Sequence, residues 1–468
     1  MNILILGAGQ VGSTIAVQLS KEEDNEVTIV DLNPDKLARL ANKHDLQTIE
    51  GHAAHPEVLK KSGADTADML IAVTTNDEVN MIACQVADTL FQTPKKIARI
   101  RSSEYLDNPD LFSPANIPVD KYISPEGLVT DYIAELIYHP GAFQILDFAN
   151  KQVRMVGVRV KKQGFLIDRH IEFLHTQLDT EQVRIAAIFR DGESIETTGE
   201  TVIQKNDEVF FIAARDEIDN MIEALLHQDQ EEVRGVMIAG GGKIGIRLAS
   251  KLEKTNQVKV IEQSKSRARA LSDLLEKAFI LKGDAADEDL LLEENIENMD
   301  VFVALTNSEE ANILSSMLAK KLGCKKVMAL INKASYSGLM EIESIDVAIS
   351  PQQITIGSLL EHVRKGDVVK VHSLKTGNVE VLEAVAHEHG SSKVVDKKIE
   401  AIELPKGASI VAVISKDGVL KTLQHTTTVE SDDHVIVLIT DKHRIADIEA
   451  LFNTKQSGAL FKYDVEKP

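Results

Sequence analysis

The chain has 468 residues, 43% of them hydrophobic and 27% charged, which reads as a globular protein of two to four domains. Its 52 Lys and Arg against 73 Asp and Glu leave a formal charge of −21, which excludes the positive field that DNA, RNA or anionic lipid would require. No apolar run approaches the roughly 18–20 residues of a membrane helix, and the first residues lack the basic segment of a signal peptide.

Residues 2–6 are an apolar run of strand length. They lead directly into Gly7-Ala8-Gly9-Gln10-Val11-Gly12, and an amphipathic run over 11–19 follows. A GxGxxG pattern alone is weak, but here a strand precedes it and a helix follows. Asp31 then closes the next strand-like run, 26–31. That is the layout of a dinucleotide-binding unit. The first glycine makes the tight turn, the second admits a pyrophosphate, and the third lets helix and strand pack closely. The helix start offers free N–H groups and the positive end of its dipole. Asp31 is suited to ribose hydroxyls and would repel a 2′-phosphate, which favours NAD over NADP.

Further strands are expected at 46–50, 69–73, 96–101 and 119–123, with helices at 35–42, 55–62 and 77–91. Six strands with helical crossovers describe an α/β fold with a doubly wound parallel, Rossmann-like sheet. Ser124-Pro125-Glu126 opens another helix, which runs to about 138 and stops at His139-Pro140-Gly141. After residue 150 the period changes. Runs at 153–160, 183–190 and 209–214 alternate like strands, with turns at Gly164 and Asp191-Gly192, and 218–226 reads as a helix. This is a small α+β domain of roughly 80 residues.

The whole plan then recurs. Gly240-Gly241-Gly242-Lys243-Ile244-Gly245 repeats the first glycine loop, and Glu262 stands where Asp31 stood. Gly283-Asp284 repeats Gly51-His52, Thr306 repeats Thr74, Asn312 falls on Asn80, and Ser350-Pro351 falls on Ser124-Pro125. The small domain repeats as well, with Asp433 on Asp207. The expected domains are 1–140, 141–228, 233–366 and 367–453, with a short acidic linker at 228–232 and a frayed tail after Lys455. Cys84 and Cys324 lie on helix-like runs without CxxC spacing, as core thiols of a cytoplasmic protein would.

Several side chains are candidates for ligand contact. Thr74 and Thr75 follow the fourth strand, at the carboxyl edge where such folds bind ligands, although helix capping explains them equally. His52 follows the third strand; it flanks the base or is a surface loop residue. Arg99 and Arg101 share a face at strand period. A buried guanidinium needs a partner, and a phosphate gripped bidentately is the natural one; the alternative is a carboxylate such as Glu78. In the second copy Lys243 enters the glycine loop where Gln10 stood, and Arg267 follows Glu262 as Lys36 follows Asp31. The strand arginines have no counterpart there, so the first site is expected to prefer the phosphate-rich nucleotide. The histidines show no metal-ligand spacing. No catalytic acid–base pair recurs between the copies: His170 and His175 are absent from the second.

The segments 1–12, 51–59, 72–78 and 97–101, arranged as a Rossmann unit plus a small domain in duplicate, resemble the RCK/KTN family over nearly the whole chain. The resemblance implies NAD(H) or ATP/ADP at Gly7, Ala8, Gly9, Gln10, Val11, Gly12, Asp31, His52, Thr74, Thr75, Arg99 and Arg101. In the second copy it implies Gly240, Gly241, Gly242, Lys243, Ile244, Gly245, Glu262, Arg267, Asp284 and Thr306. It further implies a homotetramer, held at the inner face of the cell membrane by an integral-membrane potassium channel or transporter subunit of the TrkH type. The protein itself would neither enter the membrane nor bind nucleic acid. The function expected is regulatory and not enzymatic, with nucleotide state setting potassium passage. The competing readings are an NAD-dependent oxidoreductase and a scaffold with vestigial sites.

Overall fold

The computed structural model describes residues 1–21, 25–160, 166–174, 183–226, 232–332, 344–363, 368–374, 379–387, 393–421, 426–441 and 444–452. Gly164, His175, the tail after Lys455 and all of the expected linker except Glu232 lie outside the described residues.

The first Rossmann domain contains β1 (Asn2–Leu6), α1 (Gln10–Leu19), β2 (Glu26–Asp31), α2 (Pro34–Ala41), β3 (Gln47–Glu50), α3 (Pro56–Lys61), β4 (Met69–Ala72), α4 (Asp77–Phe91), β5 (Lys95–Arg99), α5 (Ser103–Leu106), β6 (Lys121–Ile123) and α6 (Pro125–Tyr138). The sheet order is β3-β2-β1-β4-β5-β6, with every pairing parallel. The order reverses between β1 and β4, which opens a crevice at their carboxyl ends. Ile3, Leu4, Ile5 and Leu6 are all buried, as a central strand covered on both faces must be. Helix starts follow local chemistry: Asn33, Asn76 and Ser124 accept from the main-chain N–H three residues on, and Pro34 and Pro125 occupy first turns.

The first small domain contains β7 (Ala142–Phe148), β8 (Val153–Arg159), β9 (Val183–Arg190), β10 (Glu193–Ile195), β11 (Glu208–Ala214) and α7 (Ile218–Leu226). Its sheet is antiparallel, in the order β10-β9-β11-β8-β7. The second Rossmann domain repeats the first with β12 (Gly235–Ala239), α8 (Lys243–Leu252), β13 (Gln257–Glu262), α9 (Lys265–Leu274), β14 (Phe279–Lys282), α10 (Glu288–Glu293), β15 (Val301–Ala304), α11 (Glu309–Lys321), β16 (Lys326–Leu330), β17 (Val347–Ile349) and α12 (Pro351–Val363), in the order β14-β13-β12-β15-β16-β17. The second small domain contains β18 (Val368–Leu374), β19 (Val379–Ala386), β20 (Ala408–Ile414), β21 (Asp433–Ile439) and α13 (Ile445–Phe452). Among the described residues no helix is long and apolar enough to cross a membrane.

The chain divides into two compact units: Met1–Pro140 with Glu231–Val363, and Gly141–Gln230 with Arg364–Pro468. In the first unit the two Rossmann domains exchange their last helices. Ile356, Leu359, Leu360 and Val363 of α12 complete the apolar core around Ile3, Ile5 and Ile15 of the first domain. Reciprocally, α6 packs on α8 of the second. In the second unit Phe148, Phe189 and Phe210 share one core with Val381, Ile414 and Ile436. Gln144 Nε2 donates to the Ser373 carbonyl at 2.9 Å, and Lys370 Nζ donates to the Asp147 carbonyl at the same distance.

Three expectations need correction. β5 ends at Arg99, so Arg101 lies just beyond the strand. β7 begins before residue 150; Gln144 breaks its apolar alternation because its side chain serves the other small domain, and Asp147 because its Oδ1 accepts from Arg154 Nε on β8 at 2.6 Å. Cys324 sits in the turn between α11 and β16, not on a helix. Burial pushes both thiols, Cys84 and Cys324, up to about 12, so they are inert core groups.

Candidate functional site: two glycine crevices

Each glycine crevice is built the same way. Gly7 turns at φ +107° and Gly240 at +105°, where a Cβ would stand 3.0 Å from the chain after β4 or β15. A Cβ on Gly12 or Gly245 would lie 2.0 Å from the carbonyl oxygen of Gly7 or Gly240, so the third glycine is obligatory for packing. The middle glycines differ: nothing lies within 4 Å of a Cβ on Gly9 or Gly242. Their exposed backbone faces open space at the start of α1 and α8, and neither helix has an acid in its first turn. The free N–H groups therefore point at a place suited to an anion.

The acids are held before any ligand arrives. Asp31 Oδ2 accepts from Ala8 N at 2.6 Å, and Oδ1 accepts from Asn33 N at 2.9 Å. Glu262 does the same with Gly241 N at 3.1 Å and Ser264 N at 2.8 Å. Each carboxylate keeps lone pairs for a sugar hydroxyl. In the second copy a cavity of about 680 Å³ brings Gly240, Gly242, Glu262, Arg267, Asp284 and Thr306 together. Arg267 Nε also donates to the Gly241 carbonyl at 2.8 Å, which ties the glycine loop to α9. Lys243 and Ile244 open α8, and among the described residues the exposed Lys243 makes no ion pair. Gln10 and Val11 occupy the same first turn in α1.

Some candidates have structural duties. Thr74 Oγ1 donates to Asn80 Oδ1 at 2.7 Å, as Thr306 Oγ1 does to Asn312 Oδ1 at 2.6 Å. Asn76, and not either threonine, caps α4. Thr75 is exposed. His52 Nδ1 accepts from Ala54 N at 3.3 Å, the role that Asp284 Oδ1 plays for Ala286 N at 2.9 Å. His52 stacks on His55, with ring centroids 4.4 Å apart.

The arginines differ from expectation and from each other. Arg101 Nε donates to Glu126 Oε1 on α6 at 2.6 Å; Glu78 instead accepts from the Tyr105 hydroxyl at 2.9 Å. The chain around Arg101 is pinned by Asp77 Oδ2, which accepts from Arg101 N and Ser102 N at 2.8 Å each. Among the described residues Arg99 makes no ion pair, and its Nε is buried without a hydrogen-bond partner. Burial, then the neighbouring Arg101 charge, lowers the Arg99 guanidinium from its ordinary pKa. The Glu126 and Asp77 charges oppose that shift. A half-buried cation with an unbonded Nε at the carboxyl edge of a Rossmann sheet is suited to phosphate.

Sequence reasoning missed Glu126, Asp77, Asn80 and Asn312 as members of this edge. The repeat gave one signal: Glu126 and Gln352 each follow a Ser-Pro helix start, and Asn312 falls on Asn80.

The chain matches the TrkA-N domain over residues 3–125 and 236–351, and the TrkA-C domain over 155–226 and 386–453. It is 50% identical to the Trk system potassium uptake protein TrkA of Halomonas elongata, over 98% of this chain and 100% of that one. It is 49% identical to the protein of that name from Vibrio alginolyticus, covering 97% and 98% of the two chains. Among solved structures, the GsuK RCK domain superposes with TM-score 0.59 at 17% identity, covering 96% of this chain and 94% of that one. The GsuK channel bound to NAD gives TM-score 0.59 at 16% identity, covering 96% and 79%. Matched end to end, with both domains found twice in the same alternation, the chain belongs to the TrkA family of Trk system potassium uptake proteins.

Proposed function

We propose that this protein is a nucleotide-sensing regulatory subunit of a potassium channel or transporter, with NAD(H) and ATP/ADP as its ligands. One observation carries the reading: two glycine cradles, each open at the middle glycine and each backed by a pre-positioned acid. The GsuK channel, whose fold is shared, has been seen bound to NAD, which supports a dinucleotide in this kind of crevice. Gly7 to Gly12, Asp31, His52, Thr74, Thr75, Arg99 and Arg101 would line the first site, and the unpaired Arg99 favours a phosphate-rich ligand there. The second site would be lined by Gly240 to Gly245, Glu262, Arg267, Asp284 and Thr306.

The partner is an integral-membrane subunit of the TrkH type, which would hold this protein at the cytoplasmic face. Gating would follow from population shift: a nucleotide moves the gate only by binding one conformation better than another. Self-assembly into a homotetramer is part of this reading, as in the family the sequence resembles.

Calorimetric titration of ATP and NADH into the wild type, Arg99→Ala and Lys243→Ala tests the reading. Arg99→Ala should weaken ATP selectively, and Lys243→Ala should act on the second site. Failure of the wild type to bind either nucleotide would overturn the reading. Oxidation of NADH with any carbonyl substrate would favour an oxidoreductase instead.

A further inference from the structure

The two Rossmann domains meet at two crossings built on one plan. At each, the first turn of an exchanged helix lies against the helix that follows the other copy's glycine loop. By the repeat, Gln352 on α12 corresponds to Glu126 on α6, and Thr14 on α1 corresponds to Arg247 on α8. Leu330 corresponds to Arg99, since the carbonyl of each accepts from the buried Asn312 or Asn80 at 2.9 Å. Asn332 then falls on Arg101.

One crossing is neutral and closed. Gln352 Nε2 donates to Thr14 Oγ1 at 2.8 Å and to the Gln10 carbonyl at 3.4 Å. The other is charged and incomplete. Glu126 Oε1 is held by Arg101, while among the described residues Glu126 Oε2 is buried with no hydrogen-bond partner, as is Arg99 Nε. Among the described residues Arg247 makes no ion pair, yet its Nη1 lies 3.2 Å from where a Cβ on Gly127 would stand. Gly127 adjoins Glu126 in the chain. At the other crossing the equivalent positions, Gln352 and Thr14, are hydrogen-bonded.

Buried polar atoms left unbonded are costly, and an anion on the arginines would satisfy Arg99 Nε. It would also displace Glu126, because a carboxylate and a phosphate repel each other at one guanidinium. Arg99 ends β5, two strands from β1 and so roughly 10 Å along the sheet from the glycine turn. That is past the pyrophosphate position, toward the end of a triphosphate chain. We propose that Glu126 and Arg247 are the specificity-determining pair of the first site: a terminal phosphate takes Arg99 and Arg101, and Glu126 re-pairs with Arg247 on the glycine-loop helix of the second copy. The pair thereby distinguishes a nucleoside triphosphate from a diphosphate or dinucleotide and reports the difference to the second crevice. This inference rests on nucleotide binding at the first site.

The test is calorimetry on the full chain with ATP, ADP and NADH, using Arg247→Met, Arg247→Lys, Glu126→Gln and the double variant Glu126→Gln/Arg247→Met. Arg247→Met should weaken ATP about fivefold or more while sparing ADP and NADH. Arg247→Lys should restore part of the loss, and in the Glu126→Gln background Arg247→Met should have no further effect. Equal losses for ATP and ADP, an Arg247→Met effect independent of Glu126, or no rescue by lysine would each overturn the proposal. Wild-type binding of ATP with Arg247→Met indistinguishable from it sinks this inference alone; absence of any wild-type binding sinks the nucleotide reading beneath it.

Discussion

Lys326 Nζ, in the second Rossmann domain, donates to the main-chain carbonyl of Leu136 in the last turn of α6, 2.8 Å away. The relationship is reciprocal, since Lys95 Nζ donates to the His362 carbonyl near the end of α12 at 2.6 Å. Each domain therefore caps the helix it receives from the other, and a cation at a helix C-terminus is well placed against the dipole. Lys326→Met should cost about 1–3 kcal/mol, because the Leu136 carbonyl loses a charged partner. The more exposed Lys95→Met should cost less. Urea midpoints check this; an Lys326→Met midpoint equal to wild type would refute it.

The glycines separate folding from binding. Gly12→Ala places a methyl group 2.0 Å from a main-chain oxygen and should destabilise by about 3 kcal/mol. Gly9→Ala meets nothing within 4 Å, so the free protein should melt as wild type does, yet nucleotide affinity should fall at least tenfold as the methyl occupies the phosphate approach. Thermal melts with and without ATP distinguish the two.

Asn80 joins β4, α4 and β5. Its Oδ1 accepts from Thr74 N at 3.0 Å and from Thr74 Oγ1, while its Nδ2 donates to the Arg99 carbonyl. The side chain is wholly buried, so Asn80→Ala leaves several polar groups unpaired and should cost about 2–3 kcal/mol. The same change at Asn312 should act equally on the second domain, which repeats every one of these bonds. Unequal denaturation losses would contradict the equivalence of the two edges.

His372 sets a pH dependence in the small domains. Among the described residues its Nε2 is buried without a hydrogen-bond partner, its ring meets Phe148 edge-on at 5.6 Å, and burial holds it at about 4, well below its ordinary 6.5. Lys370 reinforces the shift, while Glu383 and Asp147 oppose it. The unfolded chain takes up this proton as pH drops below 6.5 and the native state does not until about 4. Its contribution to stability is thus full above 6.5 and is lost as pH falls toward 4, at no more than about 1.4 kcal/mol per pH unit. Melting the wild type and His372→Phe between these limits should show a shallower fall for the variant. Parallel curves would rule the histidine out.

The sequence by itself determined the fold class, both glycine crevices and their acids, and the tandem duplication. Those features are local: a strand, a turn and a helix lie within some thirty residues, and glycine and proline mark their own positions. What only the tertiary structure decided are the pairings between distant segments. The sequence offered a phosphate, or a carboxylate such as Glu78, as partner for the arginines; the structure pairs Arg101 with Glu126, in the first turn of α6 and 25 residues away. The exchange of α6 and α12, the lysine caps and the meeting of Arg247 with Gly127 have no periodic signature. At the first sheet the physical reason is an apolar face, with Ile3, Ile5 and Ile71, which α12 of the duplicate copy helps to cover.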